Sequence, residues 1–356
     1  MVALLMPERE AVTRAGGLRD AGESKVQNRR WLINGNPRGR AIDADDFVES
    51  SEELGSLGAG QVRVRVEWLS FDPSQKAQLE NVSGYAKGNE LGDVMYARGI
   101  GEVVESRTDG VSVGTKVIGH VGWQEFADLP AASVEVVPND EFLTARLGVL
   151  GTTGLTAYFG LLRLGRPEPG DTVRVSGAAG AVGSVVGQLA NLMGCRSIGI
   201  AGGAAKCAWL TDELGLDAAI DYRSERVKHR LTELCPGGVN VIFDTVGGEV
   251  LNEALARIAT HARIVVSGCI ARYEEAKPAG PTNYFNIVFR QAVMEGFLLS
   301  GYEREYPVAR ARLQDWIQSG ELKHREDVQT GFENIPATLM RLFSGANVGK
   351  QLLKLT

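Results

Sequence analysis

The chain is poor in the residues that metal sites and disulfide frameworks require. Its 356 residues include four cysteines and four histidines. Cys195, Cys207, Cys235 and Cys269 all fall in the second half and show no CxxC spacing. So sparse a set excludes a disulfide scaffold, favours a reducing compartment and fits small buried hydrophobes. The first 150 residues contain no cysteine and one histidine, His120, within Val117-Ile-Gly-His-Val-Gly-Trp123. Catalytic zinc needs several Cys, His or carboxylate ligands converging on one point, and a lone histidine does not supply them. Positive charge is also short. Lys and Arg number 38 against 44 acidic residues, a net charge of -6 with no basic stripe, which argues against nucleic acid as a partner. No apolar run approaches the length of a membrane span, and Val2 to Met6 is too short for a signal-peptide core. No G-x-S-x-G nucleophile elbow, internal repeat or low-complexity tract appears. A cytoplasmic protein without a membrane partner is expected.

What is present is a globular composition, 44% hydrophobic and 23% charged, on a chain too long for one ordinary domain. Residues 1–25 read as an N-terminal extension. From Arg30 to Val137 short strands alternate with turns. Gln61-Val-Arg-Val-Arg-Val-Glu67 has the period of a half-buried strand, and Gly101 to Glu105 and Lys116 to Ile118 continue the pattern. An antiparallel, barrel-like domain is predicted. Near Leu147 the pattern changes. A helix over Thr153 to Leu164 is followed by strands at Thr172 to Ser176, Arg196 to Ile200, Asn240 to Phe243, Ala262 to Ser267 and Ala292 to Leu299. Helices are expected between them at Ala181 to Met193, Ala204 to Leu214 and Glu249 to Ile258. Such alternation predicts an α/β, doubly wound parallel sheet. From Gly320 strand-like runs return, ending in Gln351 to Leu355. The expected division is 26–148 with 320–356 in the first domain and 149–319 in the second.

The strongest local motif is Val173-Arg-Val-Ser-Gly-Ala-Ala-Gly-Ala-Val-Gly183. A strand runs into Gly177, Gly180 and Gly183, and a helix follows. Glycines let the backbone approach a pyrophosphate, and the helix N-terminus offers free N–H groups to it. Against G-x-G-x-x-G the first glycine position holds Ala178. An NAD site usually has an acid at the end of the second strand. Here that strand ends Gly199-Ile-Ala-Gly-Gly203. Lys206 follows, and Tyr222-Arg223 closes the third strand. A lysine, an arginine and a phenol suit a 2′-phosphate, so NADPH is the expected cofactor. With neither metal nor nucleophile in view, the reactive centre is the nicotinamide.

In this order of motifs the chain resembles the zinc-independent medium-chain dehydrogenases and reductases, and within them the leukotriene B4 dehydrogenase/prostaglandin reductase family, which includes curcumin reductase-like enzymes. The resemblance rests on Asn28-Arg-Arg-Trp-Leu32, Leu69-Ser-Phe-Asp-Pro73, Gly151-Thr-Thr-Gly-Leu-Thr-Ala-Tyr-Phe-Gly-Leu161 and the Ala178 to Gly183 loop. It continues through Phe243-Asp-Thr-Val-Gly-Gly248, Ser267-Gly-Cys-Ile-Ala-Arg-Tyr273, Met294-Glu-Gly-Phe297 and Gly345-Ala-Asn-Val-Gly-Lys350. It implies a GroES-like β-barrel domain joined to a Rossmann domain, with the site in the cleft between them, in a homodimer. It implies that Lys206 and Tyr222 bind the 2′-phosphate and that Asn347 lies near the nicotinamide. Thr153, Ala179, Gly180, Ala181, Val182, Gly202 and Cys269 are assigned to the cofactor with them. Tyr273 is expected at both cofactor and substrate. Family members often have a tyrosine directly after Asp-Pro, where this chain has Ser74.

The activity implied is reduction of the carbon–carbon double bond of α,β-unsaturated ketones or aldehydes, by hydride addition to the β-carbon. Charge then develops on the carbonyl oxygen and needs a hydrogen-bond donor, and the α-carbon needs a proton. Tyr273 and Ser74 are the catalytic candidates; Tyr273 could instead be a packing group. A quinone reductase of the same superfamily and a non-catalytic NADPH-binding protein are the alternatives, since fold alone does not fix function.

Overall fold

The computed structural model describes residues 26–80, 89–275 and 279–356; the expected extension over residues 1–25 lies outside them. The alternating segment at Gln61 forms a strand, Gln61–Ser70, with Val62, Val64 and Val66 buried and Arg65 facing solvent. It pairs antiparallel with three strands, Gly99–Ser106, Phe126–Pro130 and Lys350–Lys354. A side chain at Gly101 would meet the Arg65 carbonyl oxygen at 2.2 Å, so only glycine allows the strands to close there. The seven-stranded sheet runs from Glu326–Thr330 through Lys350–Lys354, Gln61–Ser70, Gly99–Ser106 and Lys116–Gly119 to Glu135–Val136, with Phe126–Pro130 attached to Gln61–Ser70.

The tail completes this unit. Phe332, Ile335, Leu339 and Leu353 join Trp123, Phe71 and Phe47 in one core, with Trp123 at 4.7 Å from the Phe47 ring and 5.9 Å from that of Phe71. Glu326–Thr330 and Lys350–Lys354 pair in parallel. A parallel pair needs a crossover, and the helix Ile335–Ser344 between them supplies it. The sequence reading had placed only strand-like runs there.

The second sheet has six strands, all parallel, in the order Ala218–Asp221, Arg196–Ala201, Thr172–Val175, Val239–Asp244, Ile258–Val266, Val293–Gly296. Val173, Val175, Val241, Ile242 and Phe243 on its central strands are all fully buried because both faces are covered. The chain steps outward to one edge from Thr172–Val175 and then to the other from Val239–Asp244. Between those strands lies the switch point at which such sheets bind ligands. Beneath it, Arg174 and Asp244 are fully buried. Asp244 receives Arg174 Nη1 at 3.2 Å, the Ser176 hydroxyl at 2.7 Å and the Gly247 N–H at 2.7 Å. One carboxylate thereby ties together the two loops that leave the sheet.

Several helices are shorter than their patterns suggested. The one expected over Thr153 to Leu164 is α-helical over Thr152–Phe159 and widens to a π turn over Gly160–Gly165. A side chain at Gly160 would meet the Phe243 ring at 2.6 Å, so the widened turn lies directly on the sheet. Ala204–Ala208 passes likewise into a π turn, Trp209–Glu213. The helix Gly248–Leu255 ends before Ile258, which opens the next strand. Helix Tyr306–Gln318 escaped the sequence reading because only Ala309 and Leu313 of it are buried. Among the described residues no helix is long and apolar enough to cross a membrane.

Lys350 joins the tail to the loop after Gln61–Ser70. Its ammonium is buried and donates to the Phe71 carbonyl at 3.0 Å and to Asp72 at 2.5 Å. Replacing it with Met keeps the volume and strands the Asp72 carboxylate. Loss of hydrogen bonds to a charged group costs about 1.5–3 kcal/mol, so Lys350→Met should lower the urea-unfolding midpoint by a matching amount. An unchanged midpoint would mean that the pair contributes nothing to stability.

Candidate functional site

The glycine loop has the shape its sequence implied. Gly177 has φ +56, a conformation that favours glycine, and a side chain at Gly183 would lie 2.4 Å from the Gly177 carbonyl oxygen. The turn is closed by Gly180 N–H donating to Gly177 O at 2.9 Å, and helix Gly183–Leu192 starts against it. Ala181 and Val182 stand half-buried at that helix N-terminus, where the unpaired amides of a first turn attract phosphate. Ala178, where the motif has glycine, is buried with its N–H on Ile200 O at 3.0 Å. Its methyl is accommodated because the facing residue is Gly199, whose own added carbon would come within 2.9 Å of it.

At one edge of the loop the assigned 2′-phosphate residues converge. A side chain at Gly202 would meet the Tyr222 hydroxyl at 2.8 Å and Arg223 Nε at 2.9 Å, so this glycine lets both lie across the turn. Lys206 donates to the Gly345 carbonyl at 2.8 Å. Burial, reinforced by Arg223 and Arg341, pulls its ammonium below the ordinary lysine value, with Asp327 acting in the opposite sense. Asp327 is largely engaged, since Arg341 donates to it at 2.9 Å and the Val348 N–H at 3.2 Å. Three cations around two carboxylates, Asp327 and Asp221, leave net positive charge beside an open turn, which suits a dianionic phosphate. A dinucleotide carrying a 2′-phosphate therefore fits this site.

The same tail segment continues along the loop. Asn347 donates to Gly349 O at 3.0 Å, and Gly349 N–H donates to Ala179 O at 2.8 Å. Lys350 and Asp72 then lead to Pro73 and Ser74, and Ser74 opens the helix Ser74–Leu79. Gln75, next to it, donates to the Tyr96 carbonyl at 2.8 Å. Thr153 is buried, and its hydroxyl has no hydrogen-bond partner among the described residues; it faces a small cavity shared with Ala181, Ser184, Glu326 and Lys350. On the Rossmann side, the Tyr273 hydroxyl lies beside Gly268, close to the Cys269 thiol, and acts on that thiol's charge. Burial, the larger effect, raises the thiol's pKa, whereas Tyr273 lowers it. Ile270 and Ala271 N–H groups hold this turn on Thr245 O and Val246 O at 3.2 and 3.1 Å.

Three participants escaped the sequence reading. Arg341 lies in the helix Ile335–Ser344, where strand-like runs are expected, and Asp327 lies on the strand Glu326–Thr330 with no local signal of a role. Asp221 closes the third strand, and attention to the second strand's end passed over it. His120 packs against the Tyr96 ring at 4.9 Å, and burial, helped by Arg98, holds its imidazole below the usual value. Among the described residues no group of three His, Cys, Asp or Glu side chains is placed to hold a metal.

A glycine loop at the switch point of a six-stranded parallel sheet, a cationic turn beside it and a second β-rich unit docked against both define a two-domain nicotinamide-dinucleotide oxidoreductase. Residues 29–137 match the family described as the N-terminal domain of oxidoreductase, and residues 181–315 match the family described as zinc-binding dehydrogenase. The NADPH-dependent curcumin reductase of Escherichia coli is 32% identical over 341 residues, 94% of this chain and 98% of that protein. Prostaglandin reductase 1 of Bos taurus is 36% identical over 338 residues, 92% of this chain and 99% of that protein. The crystal structure of CurA from Vibrio vulnificus in complex with NADPH superposes with a TM-score of 0.88 at 32% identity, covering 92% of this chain and 99% of that one. The chain belongs to the zinc-independent medium-chain dehydrogenase/reductase superfamily, in the family of the curcumin and prostaglandin reductases.

We predict that Lys206→Ala weakens NADPH binding, since one charge-assisted bond to a phosphate is worth about 1.5–3 kcal/mol. The KM for NADPH should rise accordingly while that for NADH stays nearly unchanged. Equal effects on both cofactors would place Lys206 outside the phosphate site.

Proposed function

We propose that this protein is an NADPH-dependent reductase of the carbon–carbon double bond of α,β-unsaturated ketones and aldehydes. The observation that supports this most is the cationic turn of Lys206, Arg223 and Arg341, joined by the Gly345 to Lys350 segment to the Asp72-Pro73-Ser74 loop. The named activities of the relatives agree with it: curcumin reductase, prostaglandin reductase and a 2-alkenal reductase of Nicotiana tabacum.

Lys206, Tyr222 and Arg223 hold the 2′-phosphate. Ala179, Gly180, Ala181 and Val182 receive the pyrophosphate at the loop and helix N-terminus, and Gly202 leaves room for the adenosine end. Asn347, Cys269 and Thr153 border the nicotinamide end. When bound, NADPH supplies the hydride that adds to the substrate's β-carbon. Negative charge then grows on the carbonyl oxygen, and a hydroxyl aimed at it stabilises the transition state more than the ground state. Tyr273 is our candidate for that hydroxyl. It sits on the turn that the Ile270 and Ala271 amides hold against Thr245 and Val246. Ser74 leaves the opposite wall open where relatives carry a ring, which suits a wider range of substrates.

For assembly we infer a homodimer. Val293–Gly296 is the outer strand of the parallel sheet. Around it Phe285, Val288, Phe289, Val293 and Leu298 are all more than half exposed, Phe289 at 74%. An unpaired edge bordered by apolar side chains is self-complementary across a two-fold axis and would otherwise aggregate. The sparse, unpaired cysteines support a cytoplasmic setting. Phe289→Asp should shift the species seen by analytical ultracentrifugation from dimer to monomer; a monomeric wild type would remove the inference.

Initial rates of NADPH oxidation with enals, enones and quinones test the activity, and the expected order places enals and enones above quinones. In the same assay Tyr273→Phe should lower kcat roughly tenfold, below the 10²–10³ of a fully engaged lone donor, because water or a cofactor hydroxyl can share the task. NADPH affinity should hardly change. An unaltered kcat with a changed KM would make Tyr273 a wall of the pocket, and a preference for quinones would favour the alternative reductase.

A further inference from the structure

Asp221 is an acid at the very turn where an acid would repel a 2′-phosphate, yet its carboxylate is bonded to the turn itself. Oδ1 accepts the Gly203 N–H at 2.7 Å and the Arg223 N–H at 3.0 Å, and Oδ2 accepts the Ser224 hydroxyl at 2.9 Å. These two backbone bonds, the Gly203 one foremost, lower its pKa from the ordinary carboxylate value. Each partner belongs to the cationic pocket. Gly203 has φ +101 and ends the turn that exposes Gly202, and its carbonyl accepts the Lys206 N–H at 3.1 Å. Tyr222 and Arg223 follow Asp221 directly and lie over Gly202. One side chain thus pins the turn of the second strand to the end of the third.

We propose that Asp221 is a positioning residue for cofactor choice: its carboxylate, engaged by the Gly203 and Arg223 amides and the Ser224 hydroxyl, fixes the Gly202–Gly203 turn so that Tyr222, Arg223 and Lys206 face one 2′-phosphate. The inference rests on the NADPH reading above. In a nicotinamide site that selects NAD, an acid near this turn binds the ribose hydroxyls. Here a nearby acid serves the opposite selectivity because Oδ1 is held by two backbone amides and Oδ2 by the Ser224 hydroxyl, which ties the carboxylate to the turn. Both amides converge on a single oxygen, Oδ1, so an asparagine can keep both bonds with its carbonyl while its amide meets the Ser224 hydroxyl as donor. An alanine keeps neither.

The test is calorimetric titration of the full chain with 2′,5′-ADP and, separately, with 5′-AMP, which lacks the phosphate in question. Wild type should prefer 2′,5′-ADP. Asp221→Asn should bind it at least as tightly as wild type, because the geometry remains and a negative charge has gone. Asp221→Ala should lose about tenfold in affinity for 2′,5′-ADP, roughly 1.4 kcal/mol, with 5′-AMP binding within about twofold of wild type. Retained 5′-AMP binding also reports a folded site. An Ala variant with wild-type preference, or one that loses both ligands equally, overturns the positioning role. An Asn variant as poor as Ala would show that the charge matters and the bond geometry does not, which also overturns it. A wild type that prefers 5′-AMP would instead overturn the NADPH reading and the proposal with it.

Discussion

The contact on which the rest of the site depends is the one the tail makes with the glycine loop, where Gly349 N–H donates to Ala179 O at 2.8 Å. It joins two units whose cores are separate. On one side the segment leads through Asn347 and Gly345 to Lys206, and on the other through Lys350 to Asp72. A six-residue stretch, Gly345 to Lys350, therefore touches the phosphate-selecting turn, the pyrophosphate loop and the loop that bears Ser74. Gly349 has no room for a side chain, since an added carbon would sit 2.2 Å from the Arg325 carbonyl oxygen. The tail can reach this place because its own helix, Ile335–Ser344, returns it as the parallel partner of Glu326–Thr330. The glycine loop, the Lys206 turn and the Asp72 loop are thus tied together by one strand register.

Charge is distributed unevenly along that line. Under the sheet the Arg174 and Asp244 pair is buried and neutral overall, and its role is to hold backbone amides. Breaking such a pair leaves a buried charge without a partner and costs several kcal/mol, so it stiffens the two loops at the switch point. Around Gly345, by contrast, Lys206, Arg223 and Arg341 outnumber the two carboxylates, Asp327 and Asp221, placed to answer them. The net charge of the chain is -6, so this local excess of positive charge runs against the whole molecule. A site of that kind concentrates a dianion at one end of a cofactor and has little effect on neutral enones.

Much of this was legible in the sequence because it depends on short-range rules. The strand, loop and helix of Thr172 to Leu192 follow from glycine spacing, and the missing acid at Gly202–Gly203 pointed to a 2′-phosphate before any geometry was known. The two-sheet plan followed from the change of period near Leu147. What escaped was set by long-range packing. The helices Tyr306–Gln318 and Ile335–Ser344 and the parallel tail pair gave weak local signals. Asp221 looked like an ordinary strand-end residue until its oxygens were seen on Gly203 and Arg223. Cys269 and Tyr273 come from a motif, and the backbone bonds that hold their turn on Thr245 and Val246 have no trace in composition or spacing. The Lys350 to Asp72 contact joins motifs 278 residues apart in the chain, and no local pattern could have paired them.

The account's central claim is that the cleft delivers hydride to carbon conjugated with a carbonyl. The most direct test supplies NADPH deuterated at the transferable position to the protein with a simple enone and reads the product by NMR. One deuterium at the β-carbon, with the carbonyl intact, is the predicted result. Deuterium on the former carbonyl carbon, or oxidation of NADPH without label in the organic product, would contradict it.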